Sequence, residues 1–472
     1  MTTPVAIPQT RRKRVKKVAP DSVPPSPYTL SAALTRGDIF TRCSAIVFGL
    51  GNFVRHQFVK GAILLIVEAI FIFYLIRDGI SCLTGLSDLG PVTEATQMWD
   101  ENGNYINVNP TNSVEVLLYG VAWILLIIAF VIFWATAVKS AYKAQCLAMN
   151  GKAPGIQQDL KDMLDTRIQV TLMSLPVLGL LLFTVLPLIF MISMAFTSFD
   201  QNHTPAFNWV GLQNFAAVLS TKGSAAVGVN LTLFMRVLAW TLVWAFLATF
   251  LNFFLGMFMA MIILRKGTRL KSLWRALFSM SIAVPQFVSL LVINQMLRDQ
   301  GIINQMLKSW GWIDASLPFL TNEWWARGTV IIVNLWIGIP YTIMQITGIL
   351  QNIPADLYEA SRIDGASMRQ SFIYITMPYI FFVMTPYLIT TFTANVNNFN
   401  VIYLLTNGQP TSVGDSAGKT DLLITWLYKL TVDKGNFNVG AVIGILTFIV
   451  LGVVSLITYR SSGSYRNEEG FR

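Results

Sequence analysis

Residues 353–378 read Ile-Pro-Ala-Asp-Leu-Tyr-Glu-Ala-Ser-Arg-Ile-Asp-Gly-Ala-Ser-Met-Arg-Gln-Ser-Phe-Ile-Tyr-Ile-Thr-Met-Pro, a polar stretch between two apolar ones. Pro354 suits the first turn of a helix, and Gly365 is typical of a helix C-terminus. Asp356 and Glu359 would lie near the positive end of that helix. The pattern predicts two short helices with a bend at Gly365, forming a docking element for a partner protein. An ordinary amphipathic loop is the alternative.

The composition of the rest of the chain indicates a polytopic membrane protein. Of its 472 residues, 54% are apolar and only 12% are charged, about half the charged share of a soluble protein. Apolar runs of about twenty residues are long enough to cross a bilayer as helices. We predict an all-α fold with eight spans, at 59–77, 114–138, 168–196, 232–264, 276–297, 328–350, 378–405 and 439–459.

The distribution of cations predicts the orientation of these spans. Connections 139–167 and 265–275 each carry five Lys or Arg residues, whereas loop 84–113 carries none. Cytoplasmic loops are enriched in Lys and Arg. We therefore expect both termini and the loop 351–377 to lie in the cytoplasm, and the acidic loop 84–113 to lie outside. The loop 406–438, with three lysines, fits this rule least well.

The N-terminal region 1–58 is predicted to be a basic tail followed by short helices at the cytoplasmic surface. Nucleic-acid binding and contact with anionic lipid are both possible roles for a basic cluster. We favour lipid and expect no nucleic-acid partner, because membrane spans follow. The cysteines lack metal-binding spacing, so no metal site is expected. The tail cations are Arg11, Arg12, Lys13, Arg14, Lys16 and Lys17, and the cysteines are Cys43, Cys82 and Cys146.

The 353–378 segment resembles the EAA loop of ABC-importer permeases. Glu359-Ala-Ser361, Gly365 and Ile375-Thr-Met-Pro378 keep the spacing of that motif. Ser361 replaces an Ala and Met377 replaces a Leu. The resemblance implies a coupling helix that inserts into a cleft of an ATPase subunit. It assigns the coupling role to Tyr358, Glu359, Ala360, Ser361, Asp364 and Gly365.

Further segments resemble the MalF-type permease subunits of maltose importers, over about 170–460. These are 208–215, 334–341, 391–399 and 404–410. The large external domain of that family, between spans three and four, is replaced by a loop of about 35 residues. The resemblance implies a type I importer permease core at 168–460, preceded by two N-terminal spans at 59–167 and followed by a cytoplasmic tail at 461–472.

The same resemblance implies a set of partners in a bacterial cytoplasmic membrane. A second homologous permease subunit would complete the pathway, and an extracytoplasmic sugar-binding protein would deliver the oligosaccharide. Two ATPase subunits would bind ATP and Mg²⁺, so this chain would need no cofactor and would not itself be an enzyme. Membrane lipid would surround the spans.

Polar residues inside two predicted spans are candidates for the sugar site. Amide, hydroxyl and phenol groups on one helix face can hydrogen-bond sugar hydroxyls, although they can equally join helices. The MalF resemblance implies that these faces line the sugar site, with two departures at Ile282 and Ala394, where that family has aromatic residues. Because the candidates are uncharged, a neutral oligosaccharide is expected, maltodextrin first and galacto-oligosaccharides next. They are Asn334, Ile337, Gly338 and Tyr341 in span six, and Thr391, Asn395 and Asn398 in span seven.

Two other features suggest different functions. Glu68 lies inside the first span, where a carboxylate is costly. It could be a proton-coupling acid of an ion-coupled secondary transporter, or a residue bonded to the protein on a peripheral helix; we favour the second. The stretch 414–420 imitates a phosphate-binding loop, but three residues separate its glycines, whereas the motif needs four. It is therefore not interpreted as an ATP site.

Overall fold

The computed structural model describes residues 28–90, 92, 96–99, 105–151, 168–223, 227–265 and 267–461. The basic tail and the C-terminal tail beyond 461 lie outside these residues. The chain falls into two compact units, Met1–Phe190 and Met191–Arg472. The first unit therefore extends past residue 167, the predicted end of the N-terminal region.

The first unit begins with three short helices, as predicted for residues 29–58: α1 Leu30–Arg36, α2 Ile39–Cys43 and α3 Leu50–Phe53. Two long helical stretches follow, and a small antiparallel hairpin lies between them in the loop expected to be external. The elements are α4 Phe58–Tyr74, a π-helical turn Leu75–Gly79, α5 Ile80–Gly85, β1 Thr96–Trp99, β2 Tyr105–Val108 and α6 Ser113–Met149. A third stretch comprises α7 Ile168–Leu180, a π-helical turn Leu181–Val185 and α8 Leu186–Met194.

Helices make up the regular secondary structure of the second unit in its described residues, apart from two isolated β-bridges. Its long helices are α10 Leu231–Leu264, α14 Glu323–Gln351, α17 Met377–Val396 and α20 Phe437–Ser461. Shorter elements connect them: α9 Gln213–Leu219, α11 Lys271–Ala283, α12 Gln286–Leu297, α13 Ile302–Ser309, α15 Ala355–Ile363, α16 Met368–Ser371, α18 Phe399–Leu405 and α19 Leu423–Tyr428. A π-helical turn at Phe372–Thr376 precedes α17, and another at Lys429–Asp433 follows α19.

Seven helical stretches in the described part of the chain are long and apolar enough to cross a membrane, and an eighth crossing requires a bent pair. That pair is α11 and α12, which meet at 86°. The span predicted at 276–297 is therefore a bent pair of helices rather than one regular helix. Pro285 explains the break, because a proline disfavours helical geometry in the residue before it, and Val284 is extended with ψ of 128°.

The loop 406–438 belongs to the second unit, and two of its three lysines lie beside carboxylates. Lys429 lies 2.9 Å from the buried carboxylate of Asp421, and Lys419 lies 4.0 Å from Glu323. The backbone N–H of Gly418, which a phosphate loop would offer to an anion, donates to Asp421 instead (2.7 Å). Two of the lysines thus have acidic partners, and the Gly418 N–H is already bonded within the protein.

A polar cluster fastens α1–α3 to α6. Asp38 accepts from the Thr41 backbone and pairs with Arg55 at 2.6 Å, and the Asp38 backbone N–H donates to Gln145 of α6. Partial burial raises the pKa of the Asp38 carboxyl, but hydrogen bonds from Thr41 and Arg55 and the charge of Arg55 outweigh burial and lower the pKa below its ordinary value. The ion pair is therefore kept at neutral pH, and the N-terminal helices stay attached to α6.

Glu68 is buried in α4 and serves as a hydrogen-bond acceptor within the first unit. Its Oε2 atom accepts from the backbone N–H of Phe48 at 2.7 Å. A buried backbone N–H needs such a partner, since leaving it unpaired is costly. The contact gives Glu68 a structural role at the turn between α2 and α3, in agreement with the interpretation favoured above.

Glu68→Gln keeps a side-chain oxygen that can accept from Phe48, so we expect the melting temperature of the detergent-solubilised protein to change little. Glu68→Leu removes the acceptor and should lower the free energy of unfolding by about 1–3 kcal/mol. Thermal unfolding followed by tryptophan fluorescence compares the two variants. A Gln variant that unfolds like the wild type but has lost all sugar uptake would contradict this role and support proton coupling.

Candidate functional site

A cavity of about 540 Å³ lies among the helices of the second unit, and it gathers the residues predicted for the sugar site. All seven predicted residues line it: Asn334, Ile337, Gly338, Tyr341, Thr391, Asn395 and Asn398. They come from α14, α17 and the start of α18. The residues of α14 and those of α17 and α18 form two polar stripes, about 55 residues apart in sequence, and both stripes line this cavity. The volume falls within the usual range of small-molecule sites, roughly 300–1,000 Å³.

Sequence reasoning missed several polar residues of the same wall, on α10, α11 and α12. They are Thr249, Asn252, Ser281, Gln286 and Ser289, and the aromatic residues Trp336 and Tyr387 join them. Asn252 and Thr249 lie on an otherwise apolar helix, and isolated polar residues inside a span were the available signal. Ile282 lines the cavity as well, whereas Ala394 is exposed and does not.

Two amides in the cavity wall have buried atoms without a protein partner. Asn334 Nδ2 and Asn252 Oδ1 bond to no described residue, although these residues are only 5% and 9% exposed. Asn252 Nδ2 is satisfied by the Ala248 carbonyl at 2.7 Å. An unpaired buried polar atom costs about 1–3 kcal/mol. A hydroxyl group in the cavity could donate to Asn252 and accept from Asn334.

Gly338 makes room for Asn252 rather than for a ligand ring. A Cβ atom at Gly338 would lie 2.3 Å from Asn252 Nδ2 and 2.6 Å from its Cγ. The space over Gly338 is thus filled by an amide side chain from α10. Gly338 acts on the site indirectly, because it lets Asn252 reach the cavity wall.

The asparagines of the seventh predicted span lie at a break between α17 and α18, so 378–405 is not one regular α-helix. Asn398 caps α18 by accepting from the Val401 backbone (3.3 Å), as asparagine commonly does at helix starts. Asn395 Nδ2 donates to Thr249 at 3.0 Å, and the Asn395 carbonyl accepts from Trp244. Asn395 therefore joins helices and lines the cavity at the same time.

The 353–378 segment forms the predicted helix pair, α15 and α16. Gly365 has a φ of +74°, the left-handed conformation that ends helices, and Ser367 and Gln370 form a capping box for α16. Pro354 lies one residue before α15 rather than within it. The predicted bend at Gly365 is confirmed.

The predicted coupling residues divide into an inner and an outer set. Tyr358 Oη lies 2.8 Å from Thr376 Oγ1, and Ser361 Oγ lies 3.1 Å from Ser371 Oγ. These two residues hold the helix pair together. Glu359, Ala360, Asp364 and Gly365 are exposed. Beside them Ile363 and Met368 are 87% and 83% exposed. Large exposed apolar side chains grouped on one surface indicate an interaction site.

A bundle of membrane-length helices around a polar cavity, with an exposed helix pair beside it, defines the class as a polytopic membrane transport protein. Residues 252–463 match the family described as "Binding-protein-dependent transport system inner membrane component". The galactooligosaccharides transport system permease protein GanP of Bacillus subtilis (strain 168) is 33% identical, over 90% of this chain and 97% of its own. The maltodextrin transport system permease protein MdxF of the same organism is 32% identical, over 90% and 96%.

Among solved structures, a bacterial alginate ABC transporter in complex with an alginate pentasaccharide-bound periplasmic protein has a similar fold. The TM-score is 0.53 at 21% sequence identity, over 65% of this chain and 97% of that one. The chain therefore belongs to the family of binding-protein-dependent transport system inner membrane components, and it is a permease rather than an enzyme. The resemblance to maltose and oligosaccharide permeases is confirmed.

Asn334→Ala removes an amide whose Nδ2 atom makes no hydrogen bond to any described residue. We expect roughly tenfold weaker substrate affinity, the effect of about one lost hydrogen bond, and an unchanged melting temperature. Asn294→Ala is the matched control, because Asn294 Nδ2 donates to the Leu405 carbonyl at 2.6 Å. It should lower the melting temperature and spare affinity. Two measurements separate the outcomes: the substrate concentration that half-saturates uptake, and the melting temperature. If Asn334→Ala lowered only the melting temperature and Asn294→Ala weakened only the affinity, the assignment would be wrong.

Gly338→Ala should push Asn252 out of its position, so both stability and substrate affinity should fall. Adding Asn252→Ala removes the clashing amide, so the double variant should regain stability while its affinity stays low. Thermal unfolding and uptake kinetics of the single and double variants test this coupling. If the second substitution restored nothing, the close contact between Gly338 and Asn252 would not be the cause.

Proposed function

We propose that this chain forms half of the pathway of an ATP-driven importer for a neutral oligosaccharide. The observation that carries the proposal is the chemistry of the 540 Å³ cavity, because every described residue that lines it is uncharged. Its polar groups are amides, hydroxyls and phenols, which match sugar hydroxyls. An amino acid or an anionic sugar would call for a charged partner among the lining residues.

The names of the similar permeases support an oligosaccharide of the maltodextrin or galacto-oligosaccharide type. GanP is named for galactooligosaccharides and MdxF for maltodextrin. The alginate transporter, whose substrate is acidic, supports only the fold because its identity is 21%. We favour maltose or maltodextrin as the substrate, with galacto-oligosaccharides as the first alternative.

The other partners follow from the family and from the exposed surfaces. A second homologous permease subunit would line the opposite side of the pathway. An extracytoplasmic sugar-binding protein would load it, and the alginate transporter has a periplasmic protein of this kind in its complex. Two ATPase subunits would bind ATP and Mg²⁺ below the pair of permease subunits, and one of them would dock on α15 and α16. The cation distribution supports cytoplasmic positions for both termini and for the helix pair, and the basic tail would contact anionic lipid.

Continuous helices connect the proposed docking site to the cavity. Helix α14 carries Asn334 and Tyr341 and ends at Gln351, directly before α15. On the other side, α16, a π-helical turn and α17 follow one another without a gap from Met368 to Val396, and α17 carries Thr391 and Asn395. Displacement of α15 and α16 by an ATPase would therefore move both stripes of the cavity as rigid bodies. Such rocking around a central site is a general means of alternating access.

An ion-coupled secondary sugar transporter is the alternative mechanism, and the structure does not favour it. Glu68, its candidate proton carrier, accepts a hydrogen bond from Phe48 in the first unit and does not line the cavity. The exposed helix pair at 355–371 has no role in such a transporter.

Ile363→Glu with Met368→Glu should abolish co-purification of the ATPase with the detergent-solubilised chain. The substitutions place charge on exposed apolar side chains, so folding should be unaffected and docking lost, as expected for anchor residues of an interface. Val413→Glu, an equally exposed apolar residue in the 406–438 loop, is the control and should retain the ATPase. Sugar-stimulated ATP hydrolysis should follow the same order. If the wild type carries no ATPase and takes up sugar on an ion gradient, the proposed function fails.

A further inference from the structure

A second cavity, of about 410 Å³, lies farther along the groove between α11 and α14. Ser272, Arg275 and Ser279 line it from α11, and Thr347 and Gln351 line it from α14. The central cavity uses the same two helices at Ser281 and at Asn334. The two cavities are therefore successive parts of one interhelical groove.

The polar stripe of α14 continues from the first cavity into the second. Asn334 and Tyr341 face the central cavity, and Thr347 and Gln351 continue the helical spacing toward α15. From Asn334 to Gln351 the helix rises about 25 Å. A ligand that leaves the central cavity toward the coupling loop along this groove would meet the second cavity next.

Two polar atoms in the second cavity are buried without a partner. Arg275 Nε and the Thr347 hydroxyl bond to no described residue, and Thr347 is only 4% exposed. No acidic residue in the described ranges pairs with Arg275. A buried polar atom without a partner is costly, and the guanidinium of the half-buried Arg275 is always charged. In the central cavity, Asn334 and Asn252 likewise have buried amide atoms without a protein partner.

We propose that the second cavity is an oligosaccharide-binding subsite on the exit side of the pathway. This inference rests on the proposed function, since its ligand is the transported sugar. Arg275 donates to a hydroxyl or ring oxygen of one sugar unit, and Thr347 completes that contact. Ser279 and Gln351 offer further donors and acceptors, while Met344 supplies an apolar surface for the sugar ring.

A neutral sugar fits this cavity better than a phosphate-like anion does. Arg275 is the single cation among the described lining residues, and the rest of the polar lining consists of hydroxyls and one amide. These groups pair with ligands that both donate and accept hydrogen bonds, as sugar hydroxyls do. An anion that only accepts leaves the side-chain carbonyl oxygen of Gln351 unused.

Two serines on α11, two residues apart, allow the cavities to be probed separately. In a chain whose three cysteines are replaced by alanine, Ser279→Cys reports on the second cavity and Ser281→Cys on the central one. The assembled transporter is reconstituted in liposomes without ATP, and the labelling rate by a permeant maleimide is measured. Maltotriose, galactotriose and inorganic phosphate are each added as protecting ligands.

We expect the sugar that protects Ser281→Cys to protect Ser279→Cys as well. Arg275→Gln or Thr347→Val should raise the sugar concentration for half-protection at Ser279→Cys about tenfold, the effect of one lost hydrogen bond, without changing protection at Ser281→Cys. Thr447→Val is the control, because this threonine bonds only its own helix at Ile443 and lines neither cavity.

Other outcomes overturn the inference, and they are distinguishable from failure of the proposed function. Protection of Ser281→Cys alone would be consistent with the proposed importer and would refute the second subsite. Protection of Ser279→Cys by phosphate rather than by sugar would make the cavity an anion site. A Ser279→Cys thiol that never reacts in the assembled transporter would show that a partner subunit fills the cavity. If neither sugar protects either position, the proposed oligosaccharide pathway itself fails.

Discussion

The close packing of α10 against α14 is the contact on which the second unit depends. Each helix supplies a glycine that receives a polar side chain of the other. Thr342 of α14 lies over Gly256, where an added Cβ would come within 2.6 Å of it, and Asn252 of α10 lies over Gly338. Small residues allow such close approach in membranes, where helix association relies on packing and hydrogen bonds. The same contact carries Asn252 into the cavity wall, so packing and site formation are one arrangement.

Polar residues inside the spans fall into two groups by their hydrogen bonds. Asn294 donates its amide N–H to the Leu405 carbonyl, and Asn395 donates to Thr249. Asn334 keeps an unpaired donor, and Asn252 an unpaired acceptor, at the cavity. A polar group in hydrocarbon must find a partner. Groups that the protein leaves unpaired at a cavity are thus the ones available to a ligand, and the groups already paired chiefly hold the helices together.

The helix pair α15–α16 is held by internal hydrogen bonds, whereas its outer surface exposes large apolar side chains. Tyr358 and Ser361 bond residues of the following helical stretch, which makes the pair a stiff element. Ile363 and Met368 remain exposed beside Gly365. Residues 352–354 join α14 to α15, and α16 continues through a π-helical turn into α17. The bend at Pro285 separates α11 from α12.

The amino-acid sequence by itself determined the membrane class, the approximate spans and the helix pair with its bend at Gly365. These features depend on local composition, on apolar length and on the conformational freedom of glycine. It also selected the two stripes that line the cavity, because a helical period places such residues on one face. Only the tertiary structure decided that Asn252 fills the space over Gly338 and that Glu68 accepts a hydrogen bond from the Phe48 backbone. The same holds for the second cavity, which Arg275 and Thr347 share. Those facts depend on which helices meet and at what depth, and contacts between residues far apart in sequence follow from packing rather than from periodicity.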